Sequence, residues 1–123
     1  MAFISRNIIT NSILDLETKK NFLRMIRVDT VAASGSVQAD CTLLTAETNV
    51  VTGANAVLAV RLPPAELDMS VTVLNVDAAA LPVFPASGDT INGATVDAVF
   101  TQAASTERTY YATDIGTWYV QAA

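Results

Sequence analysis

The sequence predicts an all-β protein: an antiparallel β-sandwich or barrel-like body behind an N-terminal arm. Three observations predict it. The 123 residues are 51% hydrophobic and 15% charged, a balance that can bury a core, and the apolar content comes from 20 Ala and 14 Val standing beside 15 Thr rather than from aromatics. Val and Thr are stiff at χ1 and fit a pleated surface. Short alternating segments then recur at roughly 8–12-residue spacing with turn residues between them, the pattern of a sandwich or barrel. The chain is long enough for one domain and too short for two cores. We find no internal repeat of fixed period in it.

The arm, residues 1–27, comes first. Phe3, Ile4, Ile8 and Ile9 stand among Ser5, Arg6, Asn7 and Thr10, a poor composition for a free tail, so this segment is expected either to pack on its own domain or to dock on a neighbour. Ser12 followed by Asp15 resembles a capping box, with Lys19, Lys20 and Arg24 late in the segment as a helix dipole prefers, and a short helix near 13–21 is expected. The stretch 22–31 alternates Ile26, Val28 and Thr30 with Arg27, Asp29 and Val31 and reads as a strand. Period alone does not separate the two states over so short a run.

The body, residues 28–123, continues through Ala33-Ser34-Gly35-Ser36 as a flexible joint, Thr52-Gly53-Ala54-Asn55 as a loop, and the run 57–62 stopped by Pro63-Pro64. Residues 70–76 are strongly β-prone, with Val71 and Val73 on one face and Leu74 and Val76 on the other. Val83 and Phe84 form a brief strand before Pro85; Ser87-Gly88-Asp89 turns the chain. Asn92-Gly93 signals a tight hairpin, because both positions tolerate positive φ. Three alternating strands follow: Val96, Ala98 and Phe100 against Asp97 and Thr101; Tyr110 and Ala112 against Thr109, Tyr111 and Thr113; Trp118 and Val120 against Thr117, Tyr119 and Gln121.

Charge divides at the same boundary. Residues 1–27 hold Arg6, Lys19, Lys20, Arg24 and Arg27 against Asp15 and Glu17, a net +3; the remainder holds only Arg61 and Arg108 against ten acids, a net −8. A basic arm joined to an acidic body is drawn to acidic protein surfaces, its own or a neighbour's. Three net charges without interleaved aromatics argue against nucleic acid. No run of eighteen apolar residues is present to span a bilayer as a helix, and no secretory signal is read at the N-terminus.

The chemistry of catalysis is sparse. Histidine is absent, which removes the commonest general base and metal ligand, and Cys41 is the single cysteine, read as a small buried hydrophobe. The five glycines are scattered singly and make no phosphate-binding loop. Asp77, Asp89, Asp97 and Asp114 lack the spacing of a calcium loop and read as solvated loop acids. Trp118, Tyr110, Tyr111 and Tyr119 offer a sugar-stacking platform on one sheet face, against the plainer reading that at least half of them are core or interface residues. The expectation is a protein without catalytic activity, cofactor or metal.

Four stretches carry a resemblance: Val60-Arg61-Leu62-Pro63-Pro64; Val71-Thr72-Val73-Leu74-Asn75; Leu81-Pro82-Val83-Phe84-Pro85-Ala86-Ser87-Gly88-Asp89-Thr90-Ile91-Asn92-Gly93-Ala94; and Gly116-Thr117-Trp118-Tyr119-Val120. Over about residues 45–121 the chain resembles a β-module of tailed-bacteriophage virion proteins, known from capsid decoration (cement) proteins and some fibre proteins. Its most specific piece runs from Val83 and Pro85 to Ile91-Asn92-Gly93, followed further along the chain by Trp118; Ala78-Ala79-Ala80 departs from the usual turn glycine or asparagine. The resemblance implies structural roles for Arg61, Leu62, Pro63, Asn75, Pro85, Gly88, Ile91, Asn92, Gly93 and Trp118, and no catalytic residues. It implies a place on the capsid surface of a virion, as a homotrimer bound to the major capsid protein, with arms tying subunits together. With Phe3, Ile4, Arg6, Ile8 and Ile9 as arm contacts, the expectation is a decoration protein; a fibre or receptor-binding module for host glycans is the alternative.

Overall fold

The computed structural model describes residues 28–121. The expected helix near 13–21 and residues 22–27 of the expected strand lie outside them. Within them the protein is all-β, as the composition predicts, with ten strands: β1 Val28–Ala32, β2 Thr42–Leu43, β3 Thr48–Thr52, β4 Val60–Arg61, β5 Ser70–Asn75, β6 Leu81–Phe84, β7 Thr90–Ile91, β8 Phe100–Gln102, β9 Thr106–Asp114 and β10 Thr117–Val120.

The architecture corrects the expected antiparallel sandwich or barrel. The strands form a six-stranded sheet, β1-β3-β5-β9-β10-β7, and a four-stranded sheet, β2-β4-β6-β8, and the chain alternates between the two from β1 to β9. In the first sheet β1, β3 and β5 run parallel; in the second β2, β4 and β6 do. Parallel neighbours need a crossover of about a dozen residues or more, usually a helix. Here each crossover is itself a strand of the opposite sheet, so the chain winds as a β-solenoid. One coil carries the chain from Val28 to its register partner Thr48, and a slightly longer one carries it from Thr48 to Thr72. The second half reverses: β9 runs antiparallel to β5 and β10, and β8 antiparallel to β6.

The core lies between the sheets. Inward alternation places Val51, Val71, Val73, Tyr110, Ala112, Trp118 and Val120 from the larger sheet against Val60, Leu62, Leu81 and Val83 from the smaller side in one apolar cluster. Residues 70–75 alternate as expected, Val71 and Val73 buried and Leu74 half-buried on the opposite face. The outward face of the larger sheet carries Thr48, Val50, Thr72, Leu74, Thr109, Tyr111 and Tyr119.

Two local expectations fail for identifiable reasons. Asn92 and Gly93 do take positive φ, 56° and 71°, and the Ala94 N–H closes the turn on the Ile91 carbonyl at 3.1 Å. The strands it joins, β7 and β8, lie in different sheets, so no hairpin forms. The expected strand around 96–100 is mostly loop, because Asp97 sits at φ 68° and its neighbours form a turn; only Phe100 onward is extended. The Ala33-Ser34-Gly35-Ser36 joint is a pinned corner. Ser34 bridges Ala59 through the main chain and its hydroxyl lies 2.7 Å from that of Thr42. Gly35 is required there: at φ 69°, a Cβ would stand 2.5 Å from the Asp40 carbonyl oxygen.

Candidate functional site

The polar residues singled out from sequence fasten turns. The Asp77 carboxylate accepts the Ala54 N–H at 3.0 Å, Asp89 accepts the Ala65 N–H at 2.9 Å, and Asp114 accepts the N–H of its neighbour Ile115 at 2.8 Å. Asp97 accepts the Gly88 N–H at 2.8 Å and the Gln38 amide at 3.0 Å, and these donors hold its carboxyl below the usual range. Asp97 and Asp114 are exposed, as the reading of solvated loop acids expects, whereas Asp77 is half-buried and Asp89 buried; at the coil corners these carboxylates satisfy main-chain N–H groups. Among the described residues no group of three His, Cys, Asp or Glu side chains gathers as metal ligands do.

The residues carrying the resemblance divide into core and fasteners. Leu62, Pro85, Ile91 and Trp118 are buried. The Arg61 guanidinium donates to the Gln38 carbonyl at 2.9 Å, while the Gln38 side chain donates to the Pro85 carbonyl at 2.8 Å. Asn75 donates to the Ala79 and Ala103 carbonyls, which shapes the alanine turn at 78–80 without glycine. Asn92 accepts the Val120 N–H at 2.8 Å, binding the turn to β10. Gly88, at φ 89°, supplies the N–H for Asp97, and Gly93 faces open space. Pro63 lines a cleft of about 230 Å³ with Leu43, Leu44, Pro64 and Met69, in which Glu66 is the one ionisable group. The arm residues Phe3, Ile4, Arg6, Ile8 and Ile9 lie outside the described residues.

Sequence reasoning missed Gln38 and Gln102. Gln38 joins Arg61, Pro85 and Asp97 across three segments of chain, and nothing in its surroundings, Val37 and Ala39, signals a hub. Gln102 is buried; its amide donates to the Val73 and Thr106 carbonyls and its Oε1 accepts the Tyr110 hydroxyl at 2.8 Å. It shares the face of Phe100 on β8, but the alternation read from sequence stops at Thr101, one residue before it.

The aromatic platform separates in two. Trp118 and Tyr110 are fully buried, and burial drives the Tyr110 hydroxyl's pKa well above its ordinary value. Tyr111 and Tyr119 point outward, 57% and 46% exposed, and are register partners on β9 and β10. Cys41 is buried, donates weakly to the Gln38 carbonyl, and has its thiol pKa raised by burial, the behaviour of a structural cysteine.

The larger sheet also has an outward face. Val28, Thr30 and Ala32 of β1, Thr48, Val50 and Thr52 of β3, Ser70, Thr72 and Leu74 of β5, and Glu107, Thr109 and Tyr111 of β9 share it by register, with Tyr119 beside them. Glu107 is the single charged side chain in that set. Neither described cation lies on an outermost strand: Arg61 is in β4 and Arg108 in β9, both interior to their sheets. No family model matches the chain, and searches of the curated proteins and of the solved structures return no match.

Proposed function

We propose that this chain is a structural protein of a tailed-bacteriophage particle, a capsid decoration (cement) protein that binds the outer shell as an oligomer and has no catalytic role. The partners in this reading are further copies of itself, as a homotrimer, and the major capsid protein, with the N-terminal arm supplying part of the contact. The observation that carries it is the outward sheet face, with one charge among the thirteen side chains named above. A face left in water by a monomer is ordinarily about a quarter to a third charged. Edge strands without lysine or arginine point the same way, since cations are a common device against edge pairing. The opposite charges of arm and body add attraction between neighbouring copies.

The test is light scattering on purified full-length protein, followed by cosedimentation with shells of the parent particle lacking it. A trimer that binds the shells is expected. A strict monomer at micromolar concentration that remains in the supernatant sinks the proposal.

A second reading, a fibre or receptor-binding module, is favoured by the outward Tyr111 and Tyr119 pair. Saturable binding on a glycan array, lost on Tyr111→Ala with the fold intact, would replace the first reading. Trp118 is unsuitable for that test because it is core.

A further inference from the structure

We propose that the step where β9 runs on past the end of β10, walled by Glu107, Arg108, Thr109, Tyr111 and Gln121, binds a single uncharged pyranose ring. The inference rests on the second reading above, and gives it a place and a ligand class. β9 extends from Thr106 to Asp114, while its antiparallel neighbour ends at Val120, the register partner of Tyr110. Residues 106–109 therefore project beyond the last strand residue of β10, and a cavity of about 220 Å³ lies there, lined by those five residues. Its polar groups differ from the others described above. Gln38, Asn75, Asp77, Asp89 and Gln102 each bond a main-chain group and hold the fold together. Glu107, Tyr111 and Gln121 are exposed, and their side chains make no hydrogen bond among the described residues. Within the same set the Arg108 guanidinium donates only to the Glu107 carbonyl, at 2.9 Å, and the Thr109 hydroxyl meets that of Thr72 at 2.9 Å.

The ligand class follows from the groups that meet. An ionised carboxylate only accepts hydrogen bonds and a guanidinium only donates them. Side by side in one cavity, they suit a partner that donates from one atom and accepts at the next, as two neighbouring sugar hydroxyls do. Bonds to ionised groups are the strong class, and the Gln121 amide can add one of either sense. The Tyr111 ring is 57% exposed and offers its electron-rich face to the partly positive C–H groups along one side of a pyranose. The charges of Glu107 and Arg108 cancel within the cavity, and the body around it carries a net −8. An acidic sugar is therefore disfavoured, since its carboxylate meets Glu107 and a negative field. The volume also limits the ligand: sites for drug-sized molecules start at about 300 Å³, so this one holds a single ring.

NMR titration of the full-length protein tests this, with the methyl glycosides of glucose, galactose, mannose and N-acetylglucosamine as probes and N-acetylneuraminic acid as the acidic comparison. At least one neutral glycoside is expected to give saturable amide shifts confined to residues 107–111 and 119–121, with a dissociation constant in the millimolar range. Glu107→Gln alters an exposed side chain, and Arg108→Lys keeps the charge but loses the forked donor. Each is expected to weaken that binding roughly tenfold, while unchanged amide shifts elsewhere show an intact fold. Sugar binding that maps to other residues, or that is indifferent to both substitutions, overturns the inference. So does tighter binding of N-acetylneuraminic acid than of every neutral probe, or no saturable shift with any neutral probe. Glycan-array binding that persists in those cases leaves the second reading standing without this cavity, and a blank array removes that reading as well.

Discussion

The front of the molecule, β1 to β6, and its back, β7 to β10, solve the same problem differently. The front winds in parallel coils, each contributing one strand to each sheet, so its long-range pairings join positions one full coil apart. The back folds on itself: the nine-residue β9 pairs antiparallel with β5 on one side and β10 on the other, and it brings in the two largest fully buried side chains, Trp118 and Tyr110. A coil in such a stack buries its inward face only against neighbours, which is why repeat architectures need caps. The back half is thus the cap at one end, closing the coils with bulky aromatics, while the front supplies smaller Val, Leu and Ala packing.

The largest expected effect follows from that division. Trp118→Ala removes a fully buried ring that packs beside Ile91 and Ala112 through β7 and β9, and should lower unfolding free energy by about 3–5 kcal/mol in urea titration. If the cap holds the coils, exchange protection in β1 and β3 should fall together with that in β9 and β10. Retained protection in the front alone would show two separately stable regions and break the comparison.

Asn75→Ala acts at the seam. Its amide joins the turn after β5 to the segment before β9, and truncation leaves the Ala79 and Ala103 carbonyls without that donor. A loss of roughly 1–3 kcal/mol is expected by chemical denaturation, with unfolding still a single transition. A change within error would mean that water satisfies those carbonyls and that the seam lies elsewhere.

The smallest effect concerns pH. Asp97, in the back, accepts from Gly88 and from Gln38 in the first coil; the Gly88 N–H contributes most to lowering its pKa, then the Gln38 amide, with burial opposing. A carboxyl held lower in the folded than in the unfolded state adds stability above its unfolded pKa, and that contribution disappears as pH falls through the folded value. NMR titration should therefore place the Asp97 midpoint below 3.8, with the Gly88 amide shift following the same curve. A midpoint at or above 3.8 would remove this tie between the regions.

Side-chain alternation made much of the body legible. Val71 with Val73, Tyr110 with Ala112, and Trp118 with Val120 were each readable as sharing a face, because period two is a local property of any strand, but which face is buried was not. The turn at Asn92-Gly93 was legible for a similar reason, since its positive φ angles depend on those two residues alone. The roles of Gln38 and Gln102 were not, because each is defined by partners that only folding brings near. The acids were read as charge, yet Asp77 and Asp89 accept main-chain N–H groups more than twenty residues away, and Asp97 accepts the side-chain amide of the still more distant Gln38.

Composition and alternation were enough to give a β-rich body, the side chains that share a face in several of its strands, and a basic segment preceding an acidic one. Strand direction and sheet membership were decided only by the tertiary structure. Alternation is identical for parallel and antiparallel neighbours, and a strand that crosses to the opposite sheet leaves the same spacing as one that returns in a hairpin. The coil repeat escaped detection because its length changes between the step from Val28 to Thr48 and the longer step from Thr48 to Thr72. Corner loops take up that change, while the main-chain register between β1, β3 and β5 stays unbroken.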